Sequence, residues 1–86
     1  MTYSILLSPS AERQLKAFDP PIQKRLIRRL KTLSENPRPQ GVMKLSGGDD
    51  IYRIRERHYR IIYTIQEKEL IVLVVKIEDR KDVYRF

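Results

Sequence analysis

The stretch from Ile51 to Tyr63 constrains the fold of this chain more than any other. It reads Ile-Tyr-Arg-Ile-Arg-Glu-Arg-His-Tyr-Arg-Ile-Ile-Tyr. Apolar and charged side chains alternate with a period of two, the mark of a half-buried strand. Tyr52 and Ile54 point one way, Arg53 and Arg55 the other. With Arg57 and His58 as a two-residue turn, the segment becomes an antiparallel hairpin. Glu56 then faces Tyr59, Arg55 faces Arg60, Ile54 faces Ile61, Arg53 faces Ile62 and Tyr52 faces Tyr63. One face is apolar and the other carries three arginines. A slip of one residue would scatter these pairs over both faces, so this register has a definite consequence.

Arg55 opposite Arg60 is a local conflict, because like charges paired across strands destabilise a sheet. An anion held between them would resolve it. Guanidiniums suit phosphate, since each offers a planar fork of donors. Two readings remain open on strand pattern alone: a phosphate-binding surface, or a solvated basic face with its arginines fanned apart.

The charge balance bears on that choice. Eighteen basic and eleven acidic residues give a net charge of +7 in 86 residues, with a pI near 10. A polyanionic partner is favoured, whether nucleic acid, acidic protein or anionic membrane. The hydrophobic fraction of 41% and charged fraction of 34% fit one soluble globular domain spanning residues 1–86. The absence of cysteine excludes disulfides, thiolate metal sites and cysteine nucleophiles. His58, the one histidine, cannot build a zinc cluster, and the acidic residues lack calcium-loop spacing, so no cofactor is expected. His58 itself reads as an exposed turn residue. Residues 1–8 have no signal-peptide pattern, and the apolar run Leu70 to Val75 is too short to span a bilayer. A cytoplasmic protein with no membrane partner is expected.

Tyr3 to Leu7 has strand character. Ser8 caps a helix that opens on Pro9 and places Ala11, Leu15 and Phe18 on one face. Asp19 and Pro20 repeat the signal, an acid cap followed by proline at the first helical position. The second helix runs from Pro20 to Glu35, with Ile22, Leu26, Ile27, Leu30 and Leu33 as its apolar stripe. Lys24, Arg25, Arg28, Arg29 and Lys31 load the remainder, and read as a solvated face behind a packing stripe rather than a DNA-binding helix. The short link between the helices predicts a hairpin. Asn36 to Gly41 is a loop, Val42 to Leu45 a brief extended segment, and Ser46 to Asp50 a second loop without phosphate-cradling spacing. The strand 59–66 is followed by a turn at Glu67-Lys68. Leu70 to Ile77 is the most apolar strand and belongs inside the sheet with both faces partly covered. Two helices can cover one face; the tail Glu78–Phe86 or a partner must cover the other. Tyr52, Tyr59 and Tyr63 read as packing residues.

In this order, five motifs carry a resemblance: Ser8-Pro9-Ser10-Ala11, Lys44-Leu45-Ser46-Gly47, Tyr52-Arg53-Ile54-Arg55, Tyr59-Arg60-Ile61-Ile62-Tyr63, and Asp79-Arg80-Lys81-Asp82-Val83-Tyr84-Arg85. The chain resembles the RelE/ParE superfamily of toxins from type II toxin–antitoxin pairs. The resemblance implies an α+β fold: an N-terminal strand, a helical hairpin, then a three-stranded antiparallel segment, all in one sheet. It also implies inhibition by a cognate RelB-like antitoxin, with operator DNA bound only through the antitoxin complex. RelE-like members act as endoribonucleases on messenger RNA in the ribosomal A site. A ribose 2′-hydroxyl attacks the adjacent phosphate, and no metal is needed. ParE-like members share the fold and poison DNA gyrase; a decayed, antitoxin-binding module is a third reading.

Residue by residue, the resemblance makes Arg53 and Arg55 phosphate-positioning groups. Arg60 stabilises charge on phosphorus. Arg80 neutralises or protonates the leaving 5′-oxygen, and Tyr84 stacks on a base or packs on the open sheet face. Relatives often carry lysine at the positions of Arg53 and Arg55, and some carry histidine where this chain has Asp79. Arginine hardly releases its proton, so the general base is left unassigned.

Overall fold

The computed structural model describes residues 2–45 and 50–79. Its elements are β1 (Ser4–Leu7), α1 (Pro9–Ala17), α2 (Pro20–Glu35), β2 (Met43–Lys44), β3 (Ile51–Glu56), β4 (Tyr59–Gln66) and β5 (Ile71–Asp79). The strands form one sheet in the order β1-β5-β4-β3-β2. β1 lies parallel to β5, and every other pair is antiparallel. This is the expected α+β arrangement. The sheet has five strands because β1 joins it and the extended segment near Val42 contributes β2.

Local chemistry sets the helix starts. Ser8 Oγ accepts from the Ala11 N–H at 3.1 Å and donates to the Val75 carbonyl at 2.7 Å, so one hydroxyl caps α1 and ties it to β5. Asp19 precedes α2 but makes no side-chain cap, against expectation. The reason is the proline pair. Pro21 has no N–H to offer, and the Ile22 N–H already donates to the Asp19 backbone carbonyl at 2.9 Å. Leu26, Leu30 and Leu33 are buried as the stripe requires, whereas Ile27 is 39% exposed. Ile27 lies about 100° around the helix from Leu26, at the margin of the stripe.

β5 starts at Ile71, one residue later than its apolar run. Leu70 sits in the left-handed region (φ 54°) within a turn that spans Glu67 to Leu70, longer than expected. Its pairing with β4 shifts between Ile62 and Tyr63: Ile62 faces Lys76 and Tyr63 faces Val74, leaving Val75 over. This bulge reverses the alternation of β5. Val72 and Val74 before it, and Ile77 after it, are all turned into the core, each at most 2% exposed. β1 stops at Leu7, opposite Val74. Past that point Gln14 of α1 takes over its role, accepting from the Ile77 N–H at 2.8 Å.

Both helices cover the same sheet face. Ala11, Leu15, Leu26, Leu30 and Leu33 meet Tyr52, Ile54, Tyr59, Ile61 and Tyr63, so the three tyrosines are packing residues as read. The Tyr63 hydroxyl donates to the Pro37 carbonyl at 2.6 Å, and burial pushes its phenol up to about 12. A surface network fixes the same loop. Arg38 pairs with Glu67 at 2.5 Å and donates to the Tyr52 hydroxyl at 3.2 Å, while the Tyr3 hydroxyl donates to Glu67 at 2.6 Å. No helix among the described residues is long and apolar enough to cross a membrane. β5 runs on to Asp79, so Glu78 and Asp79 belong to the strand and not to the expected tail; the remainder from Arg80, one of the two expected covers of the open face beside a partner, lies outside the described residues.

Candidate functional site

The hairpin register is the one the alternation predicts. Tyr52 faces Tyr63, Arg53 faces Ile62, Ile54 faces Ile61, Arg55 faces Arg60 and Glu56 faces Tyr59. Arg53, Arg55 and Arg60 therefore lie on the sheet face opposite the helices. The adjoining strands extend them into two transverse rows. One row is Arg55, Arg60 and Glu78; the other is Met43, Arg53, Ile62 and Lys76. Four cations and one carboxylate share this end of the face. Glu78 is 21% exposed, with its Oε2 3.4 Å from Lys76 Nζ.

The arginines have few partners. Arg53 Nη2 contacts Met43 Sδ at 3.2 Å. Among the described residues, none of the three forms an ion pair. The Arg60 Nε is buried without a hydrogen-bond partner. A buried donor left unmade is costly, and such donors are rare in folded proteins. The like-charge pair and the orphan donor coincide at one residue.

At the hairpin tip, Arg57 holds a left-handed conformation (φ 58°). His58 is in the turn as expected but less exposed than a free turn residue. Its ring lies 4.2 Å from that of Tyr59, and its Nε2 lies 3.7 Å from Asp79 Oδ1. The fold thus brings an imidazole beside Asp79. Arg80 and Tyr84, the remaining expected site residues, lie outside the described residues. Among the described residues no group of His, Asp and Glu is placed to hold a metal ion.

Three residues on or beside this face were not singled out from sequence. By sequence pattern Lys76 falls at the end of an apolar strand and Glu78 at the start of a tail. The spacing Lys-Ile-Glu was the available signal, since alternate charges on a strand share a face. By sequence pattern Arg29 belongs to a solvated helix surface. Its side chain is only 26% exposed, and it lines a cavity of about 390 Å³ together with Arg53 and Arg55. Chemically, such a face can hold phosphate oxygens, stabilise charge developing on phosphorus, and accept a proton at a carboxylate.

Comparison with known proteins bears on the family of this chain. The family model described as the ParE toxin of the type II toxin–antitoxin system parDE matches residues 5–84. A RelE-like toxin protein by name from Escherichia coli is 31% identical, with 98% of this chain and 92% of that protein aligned. A Methanocaldococcus jannaschii protein that carries the name toxin RelE1 is 26% identical over 99% of this chain and 98% of its own length. The archaeal RelE–RelB complex from Pyrococcus horikoshii contains a chain that superposes with a TM-score of 0.82 at 29% identity, covering 93% of this chain and 97% of that one. A sheet and helix pair of this order, an arginine face on β3 and β4, and a family match along nearly the whole length lead to one conclusion: the chain belongs to the ParE toxin family of type II toxin–antitoxin systems, within the RelE/ParE superfamily.

Proposed function

We propose that the chain is a toxin that cuts messenger RNA on the ribosome, as a metal-independent endoribonuclease held in check by a RelB-like antitoxin. The observation that carries this reading is the row Arg55–Arg60–Glu78, with its like-charge pair and the partnerless Nε of Arg60. In this reading the scissile phosphate lies over Arg60. Glu78 supplies the base that the guanidiniums cannot, taking the proton of the ribose 2′-hydroxyl. The 2′-oxygen attacks phosphorus, and Arg60 with Arg55 stabilises the extra charge on the phosphoryl oxygens. The bond to the 5′-oxygen then breaks, leaving a 2′,3′-cyclic phosphate. Arg80 neutralises the departing oxygen, which gains a proton from water. Arg53 positions the neighbouring backbone and Tyr84 stacks on a base.

The antitoxin assignment draws on the solved relative, a RelE–RelB complex by its title. A partner rich in acidic side chains would neutralise the arginine rows and cover the apolar part of the open face, where Leu6 is 48% exposed. Ribosomes as target place the protein in the cytoplasm.

A second reading has one observation in its favour: the matching family model is that of ParE. Under it the chain poisons DNA gyrase by protein contact and the arginine rows are not catalytic. Induced expression separates the two. Arg60→Ala should abolish growth arrest and message cleavage while leaving a folded protein. Persistent arrest with DNA damage signalling in that variant would select gyrase, and normal growth with the unaltered protein would leave a module that only binds its antitoxin.

A further inference from the structure

We infer that the edge of β3 carries a second phosphate site, built around Arg29 and adjoining the Arg60 centre, with which it shares Arg53 and Arg55. β2 begins at Met43, opposite Arg53, so among the described residues the outer edge of β3 from Ile54 to Glu56 has no strand neighbour. The cavity of about 390 Å³ lies there, with Arg29 reaching it from α2, Arg53 and Arg55 from β3, and Met43 and Gly41 closing one side. Three arginines from two elements therefore line one space.

The protein balances the charges there only in part. The nearest carboxylate to Arg29 is Glu56, whose Oε1 stands 3.8 Å from Arg29 Nε, beyond hydrogen-bond length. Arg29 Nε is buried and has no hydrogen-bond partner. Among the described residues only two side-chain atoms share that condition, the Nε of Arg29 and the Nε of Arg60. Arg60 lies at the scissile position of the proposed function; Arg29 shares its condition on the wall of the cavity. A solvated basic helix does not explain it, because a solvated guanidinium keeps its donors in water, whereas this one has lost water at Nε without gaining a bond.

The cavity is of a size that suits a phosphate with part of a nucleotide, at the lower end of small-ligand pockets. It also connects with the helix surface. A neighbouring groove of about 310 Å³ is lined by Arg25, Arg28, Arg29, Thr32 and Glu56, so Arg29 belongs to both. A chain of phosphates running from Arg60 across the β3 edge to α2 would meet Arg55 and Arg29 in turn, with Glu56 as the carboxylate beside them. The occupant assigned here is a phosphodiester of the RNA strand whose scissile phosphate lies at Arg60. Only that identification as RNA rests on the proposed function; the anion site stands on the geometry.

Glu56 supplies the discriminating test, because it competes with a bound anion for Arg29. Inorganic phosphate is titrated against chloride at matched ionic strength, and the rise in melting midpoint is read for the unaltered protein, Arg29→Gln and Glu56→Gln. Each variant is referred to its own chloride baseline, so its intrinsic stability drops out. Arg29→Gln should weaken phosphate about tenfold, the scale of one lost charge-assisted bond. Glu56→Gln should strengthen it. A purely structural Arg29–Glu56 pair predicts equal phosphate responses in all three proteins, and that result, or the absence of any response, overturns the site. Message cleavage by the unaltered protein is measured in parallel in a translation extract. Cleavage with equal phosphate responses removes the Arg29 site and keeps the nuclease; opposite shifts without cleavage keep the anion site and remove the nuclease.

Discussion

Replacing Arg60 with methionine should make the protein more stable and inactive. Three contributions decide the sign. Removing the guanidinium relieves a buried donor without a partner, a penalty of about 1–3 kcal/mol. It also relieves the cross-strand repulsion with Arg55, worth about 0.2–1 kcal/mol. Against these stands the loss of attraction to Glu78 on the next strand, again about 0.2–1 kcal/mol. The last two offset one another, so the net gain is of order 1–3 kcal/mol. Methionine is unbranched and keeps the packing of the arginine stem. In a domain of this size each kcal/mol shifts the melting midpoint by about 4–8 °C. The assay is thermal and urea unfolding followed by circular dichroism, with an unchanged urea slope to show that the unfolded state is the same. Growth arrest on induction is scored alongside. A midpoint that falls in Arg60→Met would mean that Arg60 supports the fold, and the case for an anion-binding centre kept at a stability penalty would fail.

Other substitutions probe the supports of the site. Tyr63→Phe leaves the buried Pro37 carbonyl without its donor at 2.6 Å, and should destabilise by about 1–3 kcal/mol in urea unfolding. The same phenol gives a pH signature. Its pKa is raised in the folded state to about 12 from an ordinary 10.0, so its contribution is fully present below pH 10 and disappears as pH rises to about 12. That amounts to about 2–3 kcal/mol, and the Phe variant should lack this loss in base unfolding curves. At the acid end, the bond from Tyr3 and the Arg38 pair hold Glu67 below the usual carboxylate range. Its contribution is present above the unfolded value near 4.5 and is lost as pH falls through the lower folded value; Glu67→Gln should flatten the urea midpoint across that window. Arg57→Gly should stabilise the hairpin by about 1 kcal/mol, because the left-handed φ of 58° suits glycine, and a drop in midpoint would show that the arginine side chain holds the turn.

Most of the architecture was legible because strong local signals agreed with one another. The period-two alternation of Tyr52 to Ile62 settled the hairpin register, since only one register buries Tyr52, Ile54, Ile61 and Tyr63 together. Proline at residues 9 and 20 set both helix starts to the residue. What failed depended on competition or on tertiary geometry. The Asp19 cap lost to its own backbone carbonyl. Ile27 belonged to the stripe by residue type and outside it by angle. The bulge at Val75 was invisible in a uniformly apolar run, yet it decides that Lys76 and Glu78 join the arginines. Arg29 was read as solvated because a helix pattern does not reveal which arginine lies against a neighbouring strand. The three arginines of the hairpin were thus legible as a set, while the carboxylate beside them required the fold.

The sharpest measurement is primer extension on a defined message after translation in a cell-free extract, with the unaltered protein and with Glu78→Gln. Discrete cuts that need loaded ribosomes, end in 2′,3′-cyclic phosphate and slow by at least about a hundredfold in Glu78→Gln with loss of the acid limb of the pH–rate profile are expected for a nuclease with Glu78 as base. An intact message with translation unimpaired by the unaltered protein would contradict it.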